Sequence, residues 1–318
     1  MLKVLPVPRS SPVRFKGRLR WATTALFTCA MAWTAFDVAS AAPSQTVVEA
    51  VQVPAWVERD GERRAAAPGA ILRASDRAVT AEGSRMLLRL SDQSVIKLGE
   101  QTDFLIRSLD DSPGSAGQAA ELKTNFKLIT GVFRYATDYT SKALGKRREL
   151  NLEMATATVG IRGTDFWSMT DAAHDAVCVF EGKVEVSRDA QPGIELDKPG
   201  AFWVVFTGQP EKPAGQATPE QLAKFIGQAE MQPGKGILLR DGRWRAVAAT
   251  TALMGEAVAM RQRLQAAGYP AEIMTRNGRH EVRINRFATP EDAQAVLVRL
   301  QANTALGVTQ GRVALAAP

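Results

Sequence analysis

From about residue 47 to residue 206, apolar side chains recur at every second position in short runs. Nothing between the runs has the three-and-four spacing of an amphipathic helix. Val47–Val53 and Ala55-Trp56-Val57 open the series. Ser84–Leu90 and Ser94–Leu98 flank Ser91-Asp92-Gln93, which predicts a hairpin. Phe104-Leu105-Ile106, Phe126–Ile129, Val132–Tyr135 and Glu149–Met154 continue the series. Strand side chains alternate between two faces, so many short alternating runs bury their apolar faces by stacking sheet on sheet. The expected fold class of this stretch is an all-β sandwich or solenoid-like stack. Asp110–Gln118 and Ser141–Arg148 read as loops, the second as a basic hairpin tip in solvent.

The most distinctive local pattern runs from Met154 to Trp167. Val159 and Ile161 alternate with Gly160 and Arg162, Gly163 breaks the strand, and Thr164-Asp165 restarts it into Phe166-Trp167. Two glycines so close predict backbone that bends or passes near another strand. Farther on, Val177–Val186 reads as two alternating strands hinged at Glu181-Gly182, a predicted hairpin. Arg162 has two readings. It binds an anionic ligand, or its guanidinium satisfies carbonyls or Asp165 across a tight bend.

Ala157-Thr-Val-Gly-Ile-Arg-Gly-Thr-Asp-Phe166, followed by Val179-Phe-Glu-Gly-Lys-Val-Glu-Val186, resembles the core signature of the FecR-type domain, the ferric-citrate regulator family. The resemblance implies a periplasmic all-β module over residues 47–206, with Gly160, Arg162, Gly163, Thr164 and Gly182 as its structural signature.

Residues 207–239 read as a linker with a short helix. A Pro/Gly-rich start gives way to Thr218-Pro-Glu-Gln221, an N-cap, a first-position proline and a reciprocal capping glutamine. Leu222, Phe225, Ile226 and Ala229 form an apolar stripe expected to pack on a module. From residue 240 the period changes. Trp244–Thr250 reads as a strand, Glu256–Ala267 as a helix closed by Gly268, and Tyr269–Met274 and His280–Asn285 as strands joined at Asn277-Gly278. Thr289 caps a second helix, and Val308–Leu315 is the last strand. The order β-α-β-β-α-β predicts a small α+β, ferredoxin-like domain over residues 240–318.

Leu264-Gln-Ala-Ala-Gly-Tyr-Pro-Ala-Glu-Ile273, Glu281–Phe287 and Thr289–Ala295 resemble a sporulation-related repeat (SPOR) domain. That resemblance implies binding of peptidoglycan glycan strands, stripped of stem peptides, on the open sheet face. If Val282 and Ile284 face the helices, Glu281, Arg283 and Asn285 face outward. If Ala246 and Ala248 point inward, Arg245 and Val247 face outward too. Trp244, Arg245, Arg283 and Asn285 are therefore the candidate glycan-binding residues: the Arg and Asn donors suit hydroxyls and acetamido carbonyls, and Trp244 suits stacking on a sugar.

Charge and cysteine bound the function classes. The net charge of +7 is uneven, with +5 in residues 1–41, another +5 in residues 240–318 and −3 between them, so the large middle module is no nucleic-acid binder. Residues 1–41 read as a signal peptide. A basic start precedes sixteen uncharged residues, Trp21–Phe36, and Ala39-Ser40-Ala41 fits the cleavage pattern. Sixteen residues fall short of the roughly 20 that span a bilayer. An uncleaved inner-membrane anchor is the alternative, and the bulk of the chain lies in the periplasm in both cases. Only twenty residues precede Trp21, which argues against a folded sigma-binding domain ahead of the membrane.

Cys29 falls in the signal, leaving Cys178 as a small buried hydrophobe in a strand. His174, read as a loop residue, and His280 are the chain's two histidines, too few for a multi-histidine zinc site. No nucleophile elbow, phosphate loop or dinucleotide fingerprint occurs, so neither a metal nor a cofactor is expected and the chain reads as no enzyme. The expected function is that of an exported envelope protein. It binds peptidoglycan glycan through the SPOR-like domain and an envelope protein or wall ligand through the FecR-like domain. The alternatives are a FecR-like regulatory protein and an accessory of a wall hydrolase.

Overall fold

The organising element is one long strand, Glu121–Ala136, which belongs to two sheets at once. The computed structural model describes residues 46–112, 121–137, 147–161, 164–188 and 192–316. The expected signal sequence, most of both loop tips, Arg162 and Gly163 lie outside them. In its first part the long strand pairs antiparallel with Asp103–Ser112 and parallel with Arg147–Glu153. From Gly131 onward it pairs with Val95–Leu98 and Asp165–Thr170. Gly131 sits at the crossover with φ +99°, and a Cβ there would collide with Thr102. Only glycine takes that conformation with no side-chain penalty.

The two sheets close over a shared core. One carries Thr46–Gln52, Arg85–Arg89, Val95–Leu98, the end of the long strand, Asp165–Thr170, His174–Glu181 and Ala201–Phe206. The other carries Glu62–Ala65, Ala55–Arg59, Arg77–Thr80, Asp103–Ser112, the start of the long strand, Arg147–Glu153, Thr158–Ile161, Val184–Ser187 and Ile194–Leu196. Alternation places Phe104, Phe126, Phe133 and Phe166 between them. Ring centroids are 5.1 Å apart for Phe104–Phe126, 5.5 Å for Phe104–Phe133 and 5.7 Å for Phe133–Phe166. All four rings are buried, so an aromatic string runs through the core between the sheets.

The expected hairpin at Glu181-Gly182 does not form. His174–Glu181 pairs with Asp165–Thr170 and Ala201–Phe206, whereas Val184–Ser187 pairs with Thr158–Ile161 and Ile194–Leu196. The hairpin turn lies at Asp171–Ala173 instead, where Asp171 Oδ1 accepts from the Ala173 and His174 amides. From that turn a two-stranded ribbon runs down one sheet. It bends over the edge of the core and continues into the other sheet, with Asp165↔Glu181 before the bend and Ile161↔Val184 after it. Gly182, at φ +82°, is the bend on one strand, so a glycine with strands on either side marked a corner rather than a reversal.

The connecting residues pack onto this body. Gly215–Gln216 pairs with Ala201–Phe206, and helix α1, Pro219–Ala229, starts on the Thr218/Gln221 capping box that the sequence predicts. Its Phe225 stacks on Trp167, with centroids 4.1 Å apart, and on Phe202 at 5.6 Å. With Val132, Cys178 and Ala229 these residues form a second apolar cluster on the outer face of the first sheet.

The C-terminal segment is α+β. Strand Trp244–Thr251 is followed by α2 (Met254–Ala266), strands Ala271–Arg276 and Arg279–Phe287, α3 (Pro290–Ala302) and a last strand, Arg312–Leu315. Across the sheet the order is Arg312–Leu315, Trp244–Thr251, Arg279–Phe287, Ala271–Arg276, every pair antiparallel. The last strand is shorter than the expected Val308–Leu315, because residues 308–311 run as a loop with a bend at Gln310 before pairing begins at Arg312. Asn277 and Gly278 both have positive φ, as the tight hairpin between the middle strands requires.

A short strand, Ile237–Leu239, joins the two parts by pairing with Thr46–Gln52 on one side and, at Leu238↔Phe287, with the C-terminal sheet on the other. Asp292, fully buried, accepts from the Gly236 and Ile237 amides at 2.8 and 3.0 Å and from Thr289 Oγ1 at 2.8 Å. Arg299 donates to the Val53 and Lys235 carbonyls, and Trp56 Nε1 to the Ala266 carbonyl.

Candidate functional site

Strand pairing defines what the C-terminal sheet shows to solvent. Val282, Ile284, Ala246 and Ala248 are buried in the core cluster beside α2 and α3. Alternation then turns Glu281, Arg283 and Asn285 to the opposite, open face, together with Arg245 and Val247. Val247 lies between Arg283 and Arg312 in one row across three strands. It is only 2 % exposed, so it forms a covered floor between the two arginines, not the exposed position its alternation suggests. Register shifts on either side of it, between Trp244 and Ala246 and between Val247 and Ala249, mark bulges in this strand.

The candidate residues are not equivalent. Arg245 and Arg283 share the open face, and the Nε of each is buried with no hydrogen-bond partner among the described residues. Asn285 shares the face as well, but its Nδ2 already donates to Glu272 Oε2 at 2.7 Å. Trp244 lies on the other side of the sheet. It is half-buried against the core, in register with Phe287 and Leu315. Arg312 pairs with Glu281 on the open face. Sequence reasoning missed this arginine, although its place opposite Val247 follows once the last strand starts at residue 312 instead of 308.

The β-module signature is placed differently. Gly160 sits in a regular ladder between Asn151 and Glu185. A Cβ there would meet its nearest neighbours at 3.9 Å, an ordinary contact, so the expected close approach is absent at that glycine. Thr164 is buried and its carbonyl accepts from Thr137. Asp165 is held by Arg134, whose Nε and Nη2 reach its two oxygens at 2.9 and 2.8 Å while Nη1 reaches Glu230 at 2.8 Å. This places the end of α1 and the ribbon corner on one guanidinium. Arg162 and Gly163 lie outside the described residues.

Cys178 is fully buried, and desolvation pushes its thiol up to about 12, far from thiolate chemistry. His174 begins a strand instead of lying in a loop, and it stacks on Phe206 beside Asp171. Among the described residues no group of three or more His, Cys, Asp or Glu side chains is placed to hold a metal.

No curated protein matches the chain. Two solved chains from Parabacteroides distasonis ATCC 8503, both named only provisionally as anti-sigma factors, are similar to it at 18 % and 16 % identity. Their TM-scores are 0.35 and 0.36. The first alignment covers 47 % of this chain and 64 % of that one, and the second covers 76 % and 98 %. Family models are more specific. Residues 76–185 match the model described as FecR protein and residues 241–308 the model described as SPOR domain, so the chain carries a FecR domain followed by a SPOR domain.

Proposed function

We propose that this chain is an exported, non-enzymatic protein of the cell envelope that holds peptidoglycan glycan on the open face of its C-terminal sheet. In this reading residues 1–41 are the export signal, cleaved or kept as an inner-membrane anchor. Residues 47–206 form the FecR-like module, 207–239 the connection and 240–318 a ferredoxin-like SPOR domain. The strand order of the C-terminal sheet, with both helices on one face, supports the last assignment. FecR and SPOR domains are non-catalytic families, and the SPOR domain is a peptidoglycan-binding module. Among the described residues no helix is long and apolar enough to cross a membrane.

One observation carries the proposal. The SPOR match lies on a sheet whose open face carries Arg245 and Arg283, neither with an acidic partner among the described residues. Guanidinium N–H donors on an open sheet face suit a ligand rich in acceptors. Arg245, Arg283 and Asn285 face the glycan, and Trp244 holds the strand end from behind. The β module engages an envelope protein or another wall component. The FecR match favours a second version of that role, in which the module passes on the state of the wall as a regulator.

Sedimentation with purified sacculi tests the reading. The intact chain is expected in the pellet, and Arg245→Glu with Arg283→Glu is expected to leave most of it in the supernatant without changing its melting temperature. Equal retention of both proteins would remove the wall-binding assignment from this face.

A further inference from the structure

The open face carries a charge pattern that hydroxyl and acetamido recognition does not require. Strand alternation places Arg245, Arg279, Arg283 and Arg312 on this face with two carboxylates, Glu272 and Glu281. Both carboxylates are engaged, Glu272 by Asn285 and Glu281 by Arg312. Arg245, Arg279 and Arg283 therefore face solvent with no acidic partner among the described residues. Where Trp244–Thr251 bulges beside the last strand, the face opens into a depression of about 480 Å³, bordered by Val247, Thr250, Arg279, Gly311 and Arg312.

A neutral sugar needs donors and acceptors in balance. This face offers an apolar floor at Val247, arginines on both sides, and four guanidinium charges against two carboxylates. A guanidinium presents parallel N–H donors that match a carboxylate in one plane, and a group of them without counter-ions lowers the energy of an arriving anion. We propose that the depression between Arg279 and Arg312, with Arg283 across Val247, takes the carboxylate of an acidic sugar unit in the glycan. The inference rests on the glycan-binding reading and adds to it the group that is recognised. Arg279 and Arg312 thereby join the site.

The test compares three glycans on the full chain by isothermal titration. These are wall glycan strands freed of peptides, so that each acidic sugar bears its carboxylate, the same strands with those carboxylates converted to methylamides, and a neutral chitin oligomer. Stripped strands are expected to bind at least tenfold more tightly than methylamide strands or chitin, and the affinity is expected to fall as salt rises. Arg279→Gln, at an exposed turn, is expected to erase most of the preference while leaving the melting temperature unchanged. Equal affinity for stripped and methylamide strands would overturn the carboxylate assignment and leave the glycan reading standing. No binding to any of the three would overturn both.

Discussion

Arg134 holds the ribbon corner and the end of α1 on one guanidinium. Its side chain is 12 % exposed and makes a two-pronged contact with Asp165 and a third bond to Glu230, with the Phe180 ring 4.9 Å from the guanidinium carbon. Removing one partner of a largely buried pair leaves the other charge uncompensated, and that loss outweighs the pair's net worth. Arg134→Met is expected to cost about 3 kcal/mol, read as a lower urea midpoint at unchanged slope. Cys178 gives the opposite case, a side chain whose chemistry is switched off by place. The folded thiol keeps its proton up to about 12 against an ordinary value of 9.0. Its stabilising contribution is complete below pH 9.0 and is lost as pH rises toward that folded value. Ellman's reagent at pH 8 is expected to leave Cys178 unmodified in the native chain and to titrate it in urea. A native reaction on the same timescale would show the strand open.

At the scale of elements, α1 is held chiefly through one aromatic side chain, Phe225, which stacks on Trp167 and Phe202. Phe225 lies flat on Trp167, and the helix contributes few other buried side chains. Phe225→Ala is expected to cost about 3 kcal/mol and to red-shift tryptophan emission as Trp167 meets water. The capping box is worth less, and Thr218→Ala is expected to lower stability by about 1 kcal/mol in the same urea titration. The start of α1 was readable because Thr218, Pro219 and Gln221 act within one turn, and so was the Asn277-Gly278 hairpin. The long strand was not. Phe126–Ile129 and Val132–Tyr135 read as two pieces because Gly131 interrupts the apolar alternation, whereas the structure uses that glycine to carry one strand from sheet to sheet. Gly182 misled in the same way. A local sequence gives the bend, but which strands pair on either side is decided by partners such as Thr158–Ile161 and Ile194–Leu196, far away in the chain. On the open face the register placed Arg245, Arg283 and Asn285 correctly by alternation. Arg312 and the inward turn of Trp244 depended on where the last strand begins and on the bulges beside Val247.

For the whole molecule, the decisive contacts are those between the FecR and SPOR parts, and none of them has a local signal. Val53 N bonds the Gly236 carbonyl and Ala55 N the Gly268 carbonyl, each at 3.1 Å, and Arg286 reaches the Pro68 carbonyl at 2.7 Å. Gly268 has φ +84°, and a Cβ there would press into the Trp56 indole. Strand Ile237–Leu239 lies between the two sheets, and its approach is fixed by the buried Asp292 carboxylate. A folded part tied to its neighbour by backbone pairing shares that neighbour's opening free energy, whereas one on a flexible linker opens alone. Asp292→Ala removes the acceptor for two backbone donors and leaves both without it, a cost of about 2–4 kcal/mol. Its effect is expected to cross the junction. Hydrogen exchange followed by mass spectrometry is expected to quicken in Ile237–Leu239, in α3 and also in Thr46–Gln52, which lies outside the SPOR match. Faster exchange confined to α3 would mean that the SPOR part opens independently, and the open face of its sheet would then have no mechanical connection to the β module.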